Sequence, residues 1–162
     1  MKISDAMVSA INDQIKAEFD SAYIYLAMSA YFEAEGLSGM SHWMTKQHKE
    51  EIEHAEKFIS YLYRRGARVI IPEIARPREN YTDALEVFRT AYAHEQYITS
   101  RIYKLVDMAA AEKDYATQSM LQWFVDEQTE EEDNTGGIVS KLEFFGGDKH
   151  GVYVVDRELS AR

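Results

Sequence analysis

A chain of 162 residues can form one domain that buries on the order of two-thirds of its unfolded surface, and 46% hydrophobic against 28% charged residues argues against disorder. With 28 acidic and 18 basic residues the formal charge is −10, which argues against a nucleic-acid partner, whose phosphates demand a basic face, and suits attraction of cations. The absence of cysteine excludes disulfides, thiolate metal sites and thiol nucleophiles. Met1-Lys2-Ile3-Ser4-Asp5 carries no signal-peptide pattern, and no apolar run approaches the ~20 residues that span a bilayer, so a cytoplasmic protein with no membrane partner is expected.

Only 2 prolines and 8 glycines occur, mostly between long periodic runs, which predicts an all-α chain. Ser4 or Asp5 can cap a first helix that runs to Glu35, where Gly36 stops it. Its apolar stripe reads Met7, Ile11, Ile15, Glu18, Ala22, Tyr25/Leu26 and Ser29, with Glu18 as the only charge. A second helix runs from Ser38 to Arg65 and ends at Gly66. It carries Glu51-Ile52-Glu53-His54, in which Glu51 and His54 are three apart and therefore share one helix face, with Cβ atoms about 5–6 Å apart. Stepping from Glu51 by threes, fours and sevens lands on Met44, Ala55, Phe58 and Leu62, so this charged pair occupies the core-facing stripe. His48 and Glu53 are expected to be solvated or near the rim.

Residues 67–81 have no helical period and hold both prolines. About 15 extended residues reach roughly 50 Å, whereas a helix of ~27 residues is about 40 Å long. The connection can thus travel the length of a bundle, and Val69, Ile70, Ile71 and Ile74 are expected to pack on the bundle surface. The third helix begins at Thr82-Asp83 and continues to Ala111 or Glu112, with Glu95 interrupting a stripe of Phe88, Ala91, Ile98, Ile102 and Leu105. His94 lies one helical step, about 100°, off that stripe and is not expected to be a ligand. Asp114 can cap a fourth helix from Tyr115 to about Phe145, in which Gln128 and Glu131 lie within the stripe and Glu127 and Glu130 on its flank. Gly136-Gly137 should bend or loosen this helix. After Gly146-Gly147, residues 150–161 form a short fifth helix, which must dock on something, another subunit being the expected support. The expected domain is single, 1–162, with the bundle at about 4–145.

Each long helix therefore places an acid on its inward stripe: Glu18, Glu51, Glu95 and Glu131, with His54 and Gln128 beside them. Ionised carboxylates in a core cost several kcal/mol each, and no lysine or arginine recurs on these stripes to neutralise them. Either several are protonated or cations sit among them. Two divalent ions would roughly balance four carboxylates, and the imidazole favours iron or manganese, with zinc also possible, over magnesium or calcium.

Over its whole length the chain resembles the bacterial non-haem ferritins, which share the ferritin-like four-helix bundle with one long crossover between the second and third helices. The resemblance rests on Lys16-Ala17-Glu18-Phe19, Glu50-Glu51-Ile52-Glu53-His54, His94-Glu95-Gln96, Trp123-Phe124-Val125-Asp126-Glu127-Gln128 with Glu130-Glu131-Glu132, and the tail from Val152 to Ser160. It implies iron storage with ferroxidase activity, oxidising Fe2+ with O2 or H2O2 at an intra-subunit di-iron centre. Glu18, Glu51 and His54 would hold the first iron. Bridging Glu51, Glu95 and Glu131 would hold the second, with Gln128 close by and Tyr25 beside the centre. Glu50, Glu127, Glu130 and Glu131 would form a third iron position. A homo-oligomeric cage of two dozen subunits (a 24-mer) would enclose the mineral, the fifth helices gathering around its four-fold axes. Trp123 matches an aromatic neighbour of the centre in the family, though a plain core position is the expected reading.

Departures from related families narrow the resemblance. Ile52 replaces the haem-ligating methionine of bacterioferritins, and no Glu-x-x-His occupies the inward stripe of the fourth helix, so haem is not expected. The cysteine-bound iron of rubrerythrins cannot form. Mini-ferritins build their site between subunits and lack the fifth helix. Two other classes fit the bundle: a di-metal oxidase or oxygenase acting on an organic substrate, and a metal-free structural bundle whose buried acids are protonated.

Overall fold

The structure, a computed structural model, describes residues 2–162; Met1, the first residue of the expected domain, lies outside the described residues. Five helices follow in order: α1 (Asp5–Ala34), α2 (Ser38–Arg64), α3 (Ala84–Ala111), α4 (Tyr115–Phe144) and α5 (Lys149–Leu159). The Ser4 hydroxyl accepts from the Met7 amide at 3.0 Å, Asp83 from that of Glu86 at 2.8 Å, and Asp114 from that of Thr117 at 3.1 Å. Each bond satisfies an amide that the first helical turn leaves free, worth about 1 kcal/mol. Gly36 and Gly66, at φ of 76° and 67°, end α1 and α2 in the left-handed region that glycine enters without strain.

Helix α2 has no side-chain cap of its own. Asp156 on α5 supplies one, its Oδ1 accepting from the Met40 amide at 2.8 Å. The approach requires Gly39, because a Cβ there would meet the Asp156 carbonyl oxygen at 1.8 Å. Val155 and Leu159 of α5 are buried in the core of this same chain. Helix α5 thus docks on its own chain, where it completes the N-terminus of α2.

Short turns pair α1 with α2 and α3 with α4, while the residues between α2 and α3 run along α1. The Asn12 side chain bonds the backbone of Arg68 and Ile70, the Lys16 ammonium donates to the Glu73 carbonyl at 2.8 Å, and Asp20 accepts from the Ala75 amide at 3.0 Å. Tyr81 then packs edge-on to Tyr31, near the far end of α1. The long crossover is thus as expected, and it delivers α3 to the end where α2 began. Val69 and Ile74 are half-buried, but Ile70 and Ile71 are exposed, contrary to expectation, because the inward set runs 67, 69 and then 72, 74: the alternation of the extended segment slips by one residue at 70–71 and leaves both isoleucines facing out. Helix α4 continues unbroken through Gly136-Gly137, where loosening was expected. Gly136 instead makes room for the Tyr92 ring of α3, which a Cβ would meet at 3.3 Å.

The core lies in two apolar halves. One, around Met28, Phe32, Met44, Phe88 and Leu142, fills the end near α5. The other, around Ile11, Ile15, Phe58, Leu62, Ile102 and Phe124, fills the opposite end. Fully burying side chains of this size stabilises the fold by roughly 1.5–3 kcal/mol apiece. Between the halves, at mid-helix, lies a belt of buried polar residues.

Candidate metal centre

The helical period brings that belt together. Glu18 comes from α1, Glu51 and His54 from α2, Glu95 from α3, and Gln128 and Glu131 from α4, and none is more than 3% exposed. Among the described residues no lysine or arginine is buried with them. One ligand atom each from Glu18, Glu51 and His54 lies within 4.8 Å of the others. The His54 Nδ1 atom is 3.6 Å from Glu51 Oε2. Glu18 Oε1 accepts from the Gln14 amide at 2.8 Å. Glu18 Oε2 and Glu51 Oε2 are the buried side-chain atoms left without a hydrogen-bond partner among the described residues. Buried oxygens of this kind are normally paired, since an unpaired one costs about 1–3 kcal/mol. Carboxylate oxygens and a ring nitrogen this close together, with two of the oxygens unpartnered, form a donor set that fits a divalent transition metal.

On the α3–α4 side the oxygens are engaged. The Tyr25 hydroxyl donates to Glu95 Oε1, and the Gln128 amide donates to Glu95 Oε2 at 3.1 Å. Glu131 Oε2 accepts from Gln47 at 2.6 Å. Burial, reinforced by the neighbouring carboxylates Glu95, Glu18 and Glu131, pushes Glu51 well above the ordinary carboxylate range. Burial likewise raises Glu18, lifts Glu95 to about 7 and lifts Glu131 to about 8. Burial and then the charge of Glu95 drive the Tyr25 phenol well above its ordinary value. Several protons accordingly sit in the belt when no cation does, and an entering ion would displace them.

The remaining expected residues lie outside this inner set. Glu127 is half-buried at the rim, with Oε1 at 3.7 Å from His54 Nε2, and Glu50 is half-buried beside it in the same open pocket. Glu130 is exposed in a separate groove with Arg89, Tyr92 and Asp133. Glu50 and Glu127 are thus brought together, while Glu130 is not. Trp123 is 38% exposed, edge-on to His54 and beneath the Lys57 ammonium at 3.7 Å, so the plain core reading is corrected. His48 bonds the Ala22 carbonyl at 2.8 Å rather than standing in solvent. His94 bonds the Ser21 hydroxyl at 2.7 Å, apart from the belt, as its helical position predicts.

Sequence reasoning passed over two residues. Gln14 and Gln47 are almost fully buried and touch Glu18 and Glu131. Each stands four residues before a belt glutamate, Glu18 or Glu51, and so on the same helix face. A polar residue one turn before an inward acid was the available signal.

Comparison with known proteins agrees with this fold. The ferritin-like domain model matches residues 8–145. A bacterial non-heme ferritin of Bacteroides fragilis is 43% identical over 160 residues, covering 99% of each chain. One of Staphylococcus aureus is 36% identical, covering 99% of this chain and 96% of its own. An open-pore ferritin from the archaeon Archaeoglobus fulgidus superposes with a TM-score of 0.98 at 45% identity, covering 100% of this chain and 99% of its own. With its helices, crossover and buried carboxylates all in place, the chain belongs to the ferritin family.

Proposed function

We propose that this protein stores iron and oxidises it on the way in. The carrying observation is the pair of orphaned oxygens on Glu18 and Glu51 beside His54, in an interior that holds no buried cationic side chain among the described residues. Iron is the substrate. Two Fe2+ ions held side by side, one at Glu18, Glu51 and His54 and one at Glu51, Glu95 and Glu131, can deliver two electrons together to O2 or H2O2. Glu51, between the two sets, is the shared ligand. Gln128 and Tyr25 hold Glu95 in place through hydrogen bonds. The resulting Fe3+ leaves through weak oxygen ligands, with Glu50 and Glu127 at the rim as the next stations and Glu130 joining them if its side chain swings across.

Storage needs an enclosure. The similarity to an archaeal ferritin described by its open pore supports a homo-oligomeric shell, and we assign this chain the two-dozen-subunit form expected from the family. A single domain acting in the cytoplasm completes the reading, and among the described residues no helix is long and apolar enough to cross a membrane. The pocket beside the centre sets Glu50, Glu53, Glu56 and Glu127 against Lys57 and Arg64, a net acidic lining that suits passage of cations better than it suits an organic substrate.

Aerobic addition of Fe2+, followed by the absorbance of the ferric product and by size exclusion, tests this proposal. Rapid oxidation and retention of iron in a large particle are expected. A small oligomer that leaves Fe2+ to oxidise at the rate of buffer alone would contradict it.

A further inference from the structure

Two arginines reach the belt without entering it, each through a buried glutamine. On the α1–α3 side Arg101 Nε donates to Gln14 Oε1 at 2.9 Å, and Gln14 Nε2 donates to Glu18 Oε1 at 2.8 Å. On the α2–α4 side an Arg162 guanidinium nitrogen donates to Gln47 Oε1, and Gln47 Nε2 donates to Glu131 Oε2 at 2.6 Å. Both guanidinium groups are anchored. Arg101 also donates to the Asp13 carbonyl at 3.0 Å, and Arg162 to Glu50 Oε2 at 2.6 Å while lying over the Trp43 ring at 4.8 Å. We propose that Gln14 and Gln47 are positioning residues for the metal centre, each turned by its arginine so that the amide nitrogen holds one oxygen of Glu18 or Glu131 and leaves the other oxygen to the metal.

The chemistry of the groups dictates the direction of each chain. A guanidinium only donates, an ionised carboxylate only accepts, and a primary amide does both from opposite ends. Placed between the two, the amide has one orientation that satisfies every atom, and each bond polarises the next. An arginine bonded directly to Glu18 would compete with the metal for the same oxygens. Standing one amide away, it supplies positive potential and leaves the ligand free. Burial raises both carboxylates, and Arg101 acts against that at Glu18 as Arg162 does at Glu131. At Glu18 the division of labour is explicit: Oε1 is held by Gln14, and Oε2 is the orphan. Hydrogen-bond partners of metal ligands orient those ligands in this way.

This inference rests on the metal-centre reading above, and the test separates the two. Metal-free protein is titrated with Co2+, which reports its ligand geometry through its visible spectrum, and affinities are read by calorimetry. The parent is compared with Gln14→Leu, Gln47→Leu, Arg101→Met and Arg162→Met. Gln14→Leu should weaken the Glu18–Glu51–His54 site about tenfold and change its band shape. Gln47→Leu should do the same at the Glu131 site and spare the first. Each arginine variant should reproduce a part of its glutamine's effect. Arg162 lies outside the core, so its variant reports even where a buried glutamine variant fails to fold. Parent-like spectra and affinities in all the variants that fold, or a lowered melting temperature with an unchanged Co2+ spectrum, would overturn the relay while leaving the metal centre intact. A parent protein that takes up no Co2+ would overturn the metal centre and the relay with it.

Discussion

On the α1–α2 side of the buried belt, Glu18 and Glu51 each leave an oxygen without a partner, whereas on the α3–α4 side Glu95 and Glu131 are engaged by Tyr25, Gln128 and Gln47. Both sides are equally dry, so exposure does not account for the difference. What differs is the state each half is built to accept. The first half leaves those two oxygens with no partner but each other's carboxyl, a contact that an arriving ion replaces directly. The second half is at rest, and an ion there must exchange for hydrogen bonds already made. An ion at the first position should therefore bind more tightly and arrive earlier than one at the second.

The largest effect should come from removing Glu51, which both halves share, or His54, the nitrogen ligand of the first half. Glu51→Ala and His54→Ala should slow aerobic Fe2+ oxidation by on the order of 100-fold or more in stopped-flow absorbance, since truncating first-contact ligands removes the site itself. Rates within a factor of two of the parent would end the comparison, because neither half would then be needed.

Next in size is an asymmetry. Anaerobic Fe2+ titration by calorimetry should find that Glu18→Ala abolishes the tighter binding event, while Glu95→Ala removes the weaker event and retains the tighter one. Equal losses from both variants would mean that the halves fill as one unit.

A smaller effect follows from protons. Glu95 and Glu131 are raised by burial from the ordinary 4.5 to about 7 and about 8. A carboxylate raised in the folded state binds a proton that the unfolded chain has already released, so the stability it contributes is complete below about 4.5 and is lost as pH rises through 7 and 8. The metal-free protein should accordingly melt at lower temperature at pH 8 than at pH 6, and bound Fe2+ or Zn2+ should narrow the gap. A metal-free melting temperature that rises across that interval would contradict the assignment of those protons to the belt.

Smallest of all should be Tyr25→Phe, which removes one donor from Glu95 and keeps the ring. We expect a loss of about 1–3 kcal/mol in the stability of the metal-free protein from the unpaired oxygen. Oxidation should fall less than about tenfold, since the ligands themselves remain. Loss of activity as complete as that of Glu51→Ala would make Tyr25 part of the chemistry rather than its support.

The parts of this molecule that a one-dimensional pattern encodes were readable from it. Glu18, Glu51, Glu95 and Glu131 announce themselves because each breaks an apolar period of its own helix, and the 67–81 crossover because its reach exceeds the length of a helix. Features made between helices were not. The cap on α2 comes from Asp156, more than a hundred residues away, and nothing near Leu37 signals it. Gly136-Gly137 reads as a weak point until Tyr92 of another helix is seen to need the space. Trp123 has a core residue's chemistry and a rim residue's position, since its neighbour Phe124 takes the inward place. Gln14 and Gln47 fall on inward stripes, but their purpose depends on Arg101 and Arg162, which lie outside those stripes.

The central claim is that the belt is a metal centre with one half prepared in advance. Crystals soaked anaerobically with less than one equivalent of Fe2+ per chain, measured at the iron absorption edge, test it most directly. The account predicts an anomalous peak among Glu18, Glu51 and His54, with the Glu95–Glu131 position filling only at higher iron. A first peak at the Glu95–Glu131 position, or none in the belt while iron collects elsewhere, would contradict it.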